Sequence, residues 1–108
     1  MEDRAILLEE FLNSIRGIVI VEGIKDKKAL ESLGVENIVQ LHAGNSMLEV
    51  VEKIQGRRNV AILTDLDQNG KILRRQLLKL FSMYGIMEDR KPREILAKMR
   101  VSYIEGLK

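Results

Sequence analysis

At 108 residues the chain has the length of one domain and is too short for two ordinary ones, so we expect a single domain over 1–108, with an N-terminal helix over 1–16 and a core over 17–108. The absence of cysteine excludes a disulfide framework and a thiolate zinc site, and a single histidine, His42, argues against a histidine-rich metal site. The formal net charge of +2 is only mildly basic, so affinity for nucleic acid would have to come from local patches.

The composition points away from membranes. No apolar run approaches membrane-spanning length, and the N-terminus opens with Glu2 and Asp3, without the character of a signal peptide. With 45% hydrophobic and 31% charged residues, the chain has the balance of a soluble globular protein. We therefore expect a cytoplasmic protein with no membrane partner.

Helices and strands are predicted in alternation along the whole chain. Residues 3–16 form an amphipathic pattern in which Leu7 and Phe11 lie one turn apart, and Gly17 is the expected C-terminal cap. The continuous apolar run over 18–21 predicts a strand that is buried on both faces. The remaining predicted elements are a helix over 25–33, a strand over 37–41, a helix over 47–54 capped by Ser46, a strand over 60–64, a helix over 70–84, a helix over 92–99 and a strand over 101–104.

This order of elements predicts the fold class. Strands that alternate with helices form right-handed βαβ units, which build a parallel sheet covered by helices. We therefore predict an α/β fold of three layers, with a mostly parallel four-stranded sheet and helices on both faces.

Acidic residues stand at the carboxyl ends of two predicted strands. Glu22 follows the strand over 18–21, and Asp65 and Asp67 follow the strand over 60–64. Open parallel sheets bind ligands at this edge, and residues two apart in an extended segment point the same way, so the two aspartates could share one cation. Mg²⁺ suits one or two carboxylates, because water and phosphate oxygens complete its octahedron. The pattern predicts metal-assisted phosphoryl transfer.

Three motifs in order resemble a known family. They are VEG at 21–23, a loop containing Gly44 after the second strand, and TDLD at 64–67. Together they resemble the Toprim domain, which has a Rossmann-like fold and is shared by bacterial-type primases, type IA and type II topoisomerases and several nucleases. The segments VEGIKDKKAL at 21–30 and LTDLDQNG at 63–70 are most similar to small stand-alone Toprim proteins and to the ribonuclease that matures the smallest bacterial ribosomal RNA.

The resemblance implies roles for individual residues. Glu22 would be the general acid or base and a further metal ligand, and Asp65 and Asp67 would hold Mg²⁺, with Mn²⁺ as a substitute. Asp26 matches a position that is often acidic in the family. Residues expected to line a substrate loop at this edge are Gly23, Asp26, Gly44 and Asn45.

Basic residues next to the acidic edge predict where nucleic acid would bind. Lys71, Arg74, Arg75 and Lys79 lie on the face of the predicted helix opposite its leucines. Beside a metal site, the first three could hold phosphates that flank the scissile bond, whether the substrate is RNA or DNA. Without such a site, the same charges describe a solvated helix face.

The favoured reaction is hydrolysis of a phosphodiester with water as the nucleophile. A topoisomerase needs a tyrosine on a separate domain, and a primase needs further domains for template and nucleotides. Packing explains Tyr84 and Tyr103 better than catalysis does. A Toprim-shaped module that binds nucleic acid or a protein partner without cutting remains an alternative, and association of the chain with itself also stays open.

Other interpretations of the same residues remain. DLDQNG at 65–70 matches the opening of a calcium-binding EF-hand loop, although Gln76 stands where a glutamate is needed. Two aspartates after a strand also occur in phosphatases of the haloacid dehalogenase type, which need a distant lysine and a further acidic motif. Taken singly, Asp67 could be a helix N-cap, Glu22 a solvated charge, and Gly23 or Gly70 a relief of backbone crowding.

Overall fold

The computed structural model describes residues 3–42, 44 and 46–107, so the prediction that Asn45 lines the substrate loop concerns a residue outside the described ones. Within these residues, helices alternate with three strands up to the fourth helix, and a fifth α-helix and a 3₁₀ helix follow. In chain order they are α1 (Arg4–Ser14), β1 (Val19–Val21), α2 (Ile24–Ser32), β2 (Ile38–Gln40), α3 (Met47–Lys53), β3 (Ala61–Ile62), α4 (Gln68–Tyr84), α5 (Lys91–Lys98) and the 3₁₀ helix (Ile104–Leu107).

The three strands form one parallel sheet in the order β2-β1-β3. β1 lies in the centre, where Val21 pairs with Gln40 of β2 and Ile20 pairs with Ile62 of β3. Every residue of β1 is buried, as a continuous apolar run predicts for a strand covered on both sides. The parallel α/β architecture is therefore confirmed.

Two hydrophobic cores lie on opposite faces of the sheet, because successive side chains of a strand point to opposite sides. Val19 and Val21 pack into a core with α1, α2, α5 and the 3₁₀ helix, in which Phe11 is fully buried. Ile20 packs into a second core with α3 and α4, which includes Leu77. Helices on both faces give the three predicted layers.

The predicted strand over 101–104 is wrong, so the sheet has three strands rather than four in the part of the chain that the structure describes. Val101 and Ile104 are both buried, and the chain turns at Ser102 into the 3₁₀ helix. Two apolar residues three positions apart can lie on one face of a helical turn, whereas a strand requires a period of two. The run contributes to the core without pairing in the sheet.

Helix ends match the sequence at some positions and differ at others. Ser46 is the N-cap of α3, and its hydroxyl accepts from the backbone N–H of Glu49, as expected. Gly17 is not the cap of α1, because this helix ends at Ser14 and its C-cap is Ile15. Gly17 serves a close approach instead, because a Cβ there would lie 2.8 Å from the carbonyl oxygen of Asn59.

Within these described residues, no helix has both the length and the apolar character that crossing a bilayer requires.

Candidate active site at the carboxyl edge of the sheet

Glu22 and Asp65 are joined directly at the carboxyl edge of the sheet. Glu22 follows the last residue of β1, and its Oε1 accepts a hydrogen bond of 2.8 Å from the backbone N–H of Asp65. Because β1 and β3 are neighbours, a side chain at the end of one strand reaches the backbone beyond the end of the other. This contact spans 43 residues of sequence and fixes the segment that carries the aspartates.

Asp65 is a carboxyl group that is partly withdrawn from water. Its Oδ1 accepts a hydrogen bond of 3.0 Å from the backbone N–H of Ile104. Burial, together with the negative charges of Glu22, Asp26 and Asp67, raises the pKa of Asp65 to about 6 against the opposing effect of the hydrogen bond from Ile104. Several negative charges thus lie close together at this edge, and within the described residues none of Glu22, Asp65 and Asp67 forms a salt bridge with a lysine or arginine.

Asp67 caps the helix that follows it. It is the N-cap of α4, and its Oδ1 accepts a hydrogen bond of 2.8 Å from the backbone N–H of Gly70. The structural role that the sequence allowed for this residue is therefore present. Its charge nevertheless contributes to the raised pKa of Asp65, so it belongs to the same acidic group.

Gly70 is required by a close backbone approach. A Cβ at this position would clash with the carbonyl oxygen of Asp65, and the carbonyl of Gly70 accepts a 2.7 Å hydrogen bond from the buried Thr64 hydroxyl. Gly23 differs, because no heavy atom lies within 4 Å of a Cβ placed there. Relief of crowding thus explains Gly70, whereas it does not explain Gly23.

Arg93 is a functional candidate that the sequence did not single out. This buried side chain of α5 donates through Nη1 to the carbonyl oxygens of Ile62 (3.1 Å) and Thr64 (2.6 Å), and to the Thr64 hydroxyl. Its Nη2 donates to the carbonyl oxygen of Asp65 at 3.0 Å. Burial, with the nearby charge of Arg74, lowers the pKa of the guanidinium. Arg93 therefore holds the backbone that presents Asp65.

The other residues predicted for the substrate loop have varied environments. Asp26 is buried, and its Oδ2 accepts from the backbone N–H of Gly23 at 3.0 Å. Burial raises the pKa of Asp26, with a further contribution from Glu105. Gly44 is exposed and has a φ of +86°, a conformation that favours glycine. His42 is exposed as well.

The basic residues of α4 separate into two groups. Lys71 and Arg75 are exposed, as is Lys79. Arg74 instead donates two hydrogen bonds of 2.8 Å to the carboxylate of Glu88, a residue that is itself largely buried. Such a bidentate pair occupies the guanidinium group that would otherwise bind a phosphate.

Packing was expected to explain Tyr103, but this side chain is 56% exposed, so that interpretation is wrong.

The carboxylate oxygens at the acidic edge suit a hard cation that keeps several water ligands better than a cation that is surrounded by protein ligands. Among residues 3–42, 44 and 46–107, no group of three or more His, Cys, Asp or Glu side chains is arranged to hold a metal ion. Glu22, Asp65 and Asp67 each use one carboxylate oxygen for a backbone hydrogen bond and keep the second free of such bonds within the described chain. Mg²⁺ commonly takes one or two carboxylates and fills its remaining positions with water and phosphate oxygens.

The calcium-loop interpretation is wrong. An EF-hand requires residues 65–76 to form an irregular loop that wraps around the ion. Asn69, Gly70 and Ile72, which would stand at loop positions five, six and eight, all lie inside α4. The segment is a strand end followed by a capped helix, which is an arrangement typical of βα units.

The protein is an α/β domain in which acidic residues that follow two neighbouring parallel strands, Glu22 after β1 and Asp65 after β3, are joined by a hydrogen bond at the carboxyl edge of the sheet. The Toprim domain family matches residues 16–88, and the chain belongs to that family. The resemblance drawn from the motifs is thus confirmed. Toprim domains generally bind a divalent metal such as Mg²⁺ and serve functions related to nucleic acid.

Similarity to known proteins extends over nearly the whole chain. A UPF0292 protein of Methanosarcina barkeri is 34% identical over 110 residues, covering 93% of this chain and 77% of its own length. A UPF0292 protein of Thermococcus sibiricus is 29% identical over 103 residues, covering 93% of this chain and 82% of its own. A solved structure of a protein from Aquifex aeolicus superimposes with a TM-score of 0.82 at 27% identity, covering 98% of this chain and 99% of its own. These similarities fit a small stand-alone Toprim protein.

Proposed function

We propose that this protein hydrolyses phosphodiester bonds of nucleic acid with the help of Mg²⁺. The observation that carries the proposal is the 2.8 Å hydrogen bond between the Glu22 carboxylate and the Asp65 backbone, which joins two acidic residues at one sheet edge. The negative charges of Glu22, Asp26 and Asp67, which raise the pKa of Asp65, favour a cation at this edge, and a bound cation favours phosphate. Membership of the Toprim family supports the same chemistry.

Each acidic residue has a role in this proposal. Asp65 and Asp67 would hold the metal through the oxygens that are not used in backbone hydrogen bonds, and Glu22 would contribute to metal binding and act as the general acid or base. A bound Mg²⁺ supplies charge neutralisation at the phosphate and orients the attacking water. Arg93 holds the backbone that carries Asp65 in place by donating hydrogen bonds to the carbonyl oxygens of Thr64 and Asp65.

The surroundings of the acidic residues suit a polyanionic substrate. Lys71 lies in the first turn of α4 and Arg75 one turn later, both exposed, and we assign them contacts with phosphates on either side of the scissile bond. Arg74 would contribute less, because Glu88 occupies its guanidinium. Gly23 leaves open space where the substrate backbone would approach.

A second candidate is a Toprim module that binds nucleic acid or a protein partner without cleaving it. The observation in its favour is that no three metal-ligating side chains among the described residues form a group that could hold a metal ion. In this case Asp67 would act mainly as the cap of α4. Binding of a nucleic acid or a protein partner without cleavage, whether or not metal is bound, is the behaviour that this candidate predicts.

One experiment separates the two candidates. The pure protein is incubated with structured RNA, single-stranded DNA and duplex DNA, each with Mg²⁺, with Mn²⁺ and with chelator. The matched control is Glu22→Gln, which keeps an oxygen to accept the Asp65 N–H and loses the charge. Cleavage that requires metal and is lost in Glu22→Gln supports hydrolysis, whereas binding without cleavage of any of the three substrates supports the module.

A further inference from the structure

The amino edge of the sheet, at the opposite end of the strands from Glu22 and Asp65, carries a set of arginines. A groove of about 480 Å³ is lined by Arg16, Arg57 and Arg58. An adjoining groove of about 270 Å³ is lined by Arg16 and Arg58 again, together with Arg90. Because the two grooves share two arginines, they form one continuous surface, which we call the amino-edge arginine surface.

Most of the positive charge on this surface is not neutralised. Arg16 lies 3.5 Å from the largely buried carboxylate of Asp89. Within the described part of the chain, none of Arg57, Arg58 and Arg90 has a carboxylate within 4.0 Å, and all three are exposed. The other acid that lines the second groove, Glu88, is occupied by Arg74 from the side of α4.

The backbone beneath these arginines is held in place. The carbonyl of Arg57 accepts a 3.0 Å hydrogen bond from the N–H of Met87, and the N–H of Arg57 donates to the carbonyl of Ile54. Asn59 adopts a φ of +58°, and its carbonyl lies against Gly17, where only a glycine leaves enough room. A fixed backbone lets flexible side chains bind with a smaller loss of conformational freedom.

We propose that the amino-edge arginine surface binds the phosphate backbone of a nucleic acid. Guanidinium groups match the oxygens of a phosphate through paired hydrogen bonds. The grooves are open and adjoin one another, which suits a polymer that crosses the edge. No aromatic side chain lines them, so recognition rests on backbone charge rather than on stacked bases.

This surface is distinct from the acidic edge and needs no metal ion. It lies at the amino ends of β1 and β3, whereas the acidic residues follow their carboxyl ends. The chain therefore has a negative edge and a positive edge separated by the length of its strands. A nucleic acid held at the positive edge would be retained near the acidic one without competing for the same atoms.

The test compares two triple variants with equal loss of charge. Arg57, Arg58 and Arg90 are changed to glutamine in the first variant. In the control, glutamine replaces three exposed lysines, which are Lys28 of α2, Lys53 of α3 and Lys98 of α5. Binding of labelled single-stranded RNA and duplex DNA is measured in chelator over a range of salt concentrations, with circular dichroism melts as the check of folding. Chelator keeps metal-dependent cleavage out of the measurement.

The first variant should bind at least about tenfold more weakly near 0.1 M salt, and its slope of log K against log salt should be shallower by about two to three than that of the parent. Equal affinities and slopes in the two variants would overturn the proposal. Binding of inorganic phosphate or a mononucleotide by the parent without binding of either polymer would also overturn it. If the triple variant fails to fold, Arg58→Gln, which removes the arginine that lines both grooves and is itself exposed, gives the same comparison against Lys53→Gln.

Discussion

The backbone N–H of Asp65 donates to the carboxylate of Glu22 across the junction of the two neighbouring strands β1 and β3. The side chain of Glu22, to which we assign a role in catalysis, thus also stabilises the loop that carries Asp65. A hydrogen bond of an amide to a charged acceptor contributes about 1.5 to 3 kcal/mol. Charge and hydrogen-bond acceptance at Glu22 can therefore be separated by substitution.

Glu22→Gln should lose metal-dependent cleavage by about a hundredfold or more while the metal-free protein stays as stable as the parent. The amide oxygen still accepts from Asp65, and the repulsion between Glu22 and Asp65 is removed. Glu22→Ala loses the acceptor as well and should cost about 1 kcal/mol or more. Urea unfolding in chelator and a cleavage assay on both variants check this, and equal destabilisation by the two would contradict it.

Asp67 allows the roles of cap and metal ligand to be told apart. Asp67→Asn keeps an oxygen that accepts from Gly70, so the metal-free protein should be equally or slightly more stable, and metal-dependent activity should be lost. Asp67→Ala removes the cap and should cost about 1 kcal/mol. Thermal melts in chelator and metal titration of both variants provide the measurement. Normal metal binding by a destabilised alanine variant would make Asp67 purely structural.

The sequence predicted the elements whose signals are local. The apolar run over 18–21, the Ser46 cap and the leucine periodicity of α4 are each specified by neighbours in sequence, and all appear in the structure. The end of the chain was not predicted, because apolar residues at 101 and 104 fit a helical turn as well as a strand, and only packing decides between them.

The acidic residues of the candidate site could be predicted from the sequence, but the arginine that holds their backbone could not. Glu22, Asp65 and Asp67 stand at strand ends that the pattern indicates, whereas Arg93 reaches carbonyls 28 to 31 residues away through packing of α5 on the sheet. An arginine near Pro92 in a short helix has no local feature that sets it apart from a solvated charge. Its position beside the buried residues Ile95 and Leu96 was the available signal.

Arg93→Met should destabilise the protein by about 2 kcal/mol or more, because it leaves buried carbonyls of Ile62 and Thr64 without their donor. Arg93→Lys keeps the charge but replaces a planar fork with a single ammonium, so we expect partial recovery of stability and little recovery of cleavage. Lys98→Ala, an exposed change on the same helix, is the control. Wild-type stability and cleavage in Arg93→Met would show that the backbone of β3 does not depend on this contact.

Gly70→Ala should destabilise the protein by about 1 to 3 kcal/mol and reduce cleavage. The new Cβ would clash with the carbonyl of Asp65 and displace the segment that carries Asp65 and Asp67. Gly23→Ala is the matched control at the same edge, where a Cβ meets no atom within 4 Å. Denaturant unfolding of both variants gives the comparison. Similar unfolding free energies for the two would contradict the close packing of Gly70 on Asp65.

The stability of the metal-free protein should fall as the pH rises through about 6. Asp65 has a pKa of about 6 in the folded protein against an ordinary value of 3.8, so the folded state binds this proton more tightly than the unfolded chain does. The resulting stabilisation is complete below about pH 4 and is lost as Asp65 ionises near pH 6. The raised pKa of Asp26 acts in the same direction.

Asp65→Asn should reduce this dependence on pH and make the metal-free protein more stable than the parent at neutral pH, because its amide oxygen still accepts from Ile104 without becoming charged. Asp26→Asn in the same background should reduce the remaining slope, since burial disfavours the Asp26 charge too. Urea unfolding in chelator between about pH 4 and pH 7 measures the effect. A slope that is unchanged in Asp65→Asn would mean that the charge of Asp65 is already compensated in the folded protein, and the main reason for a cation at this edge would be lost.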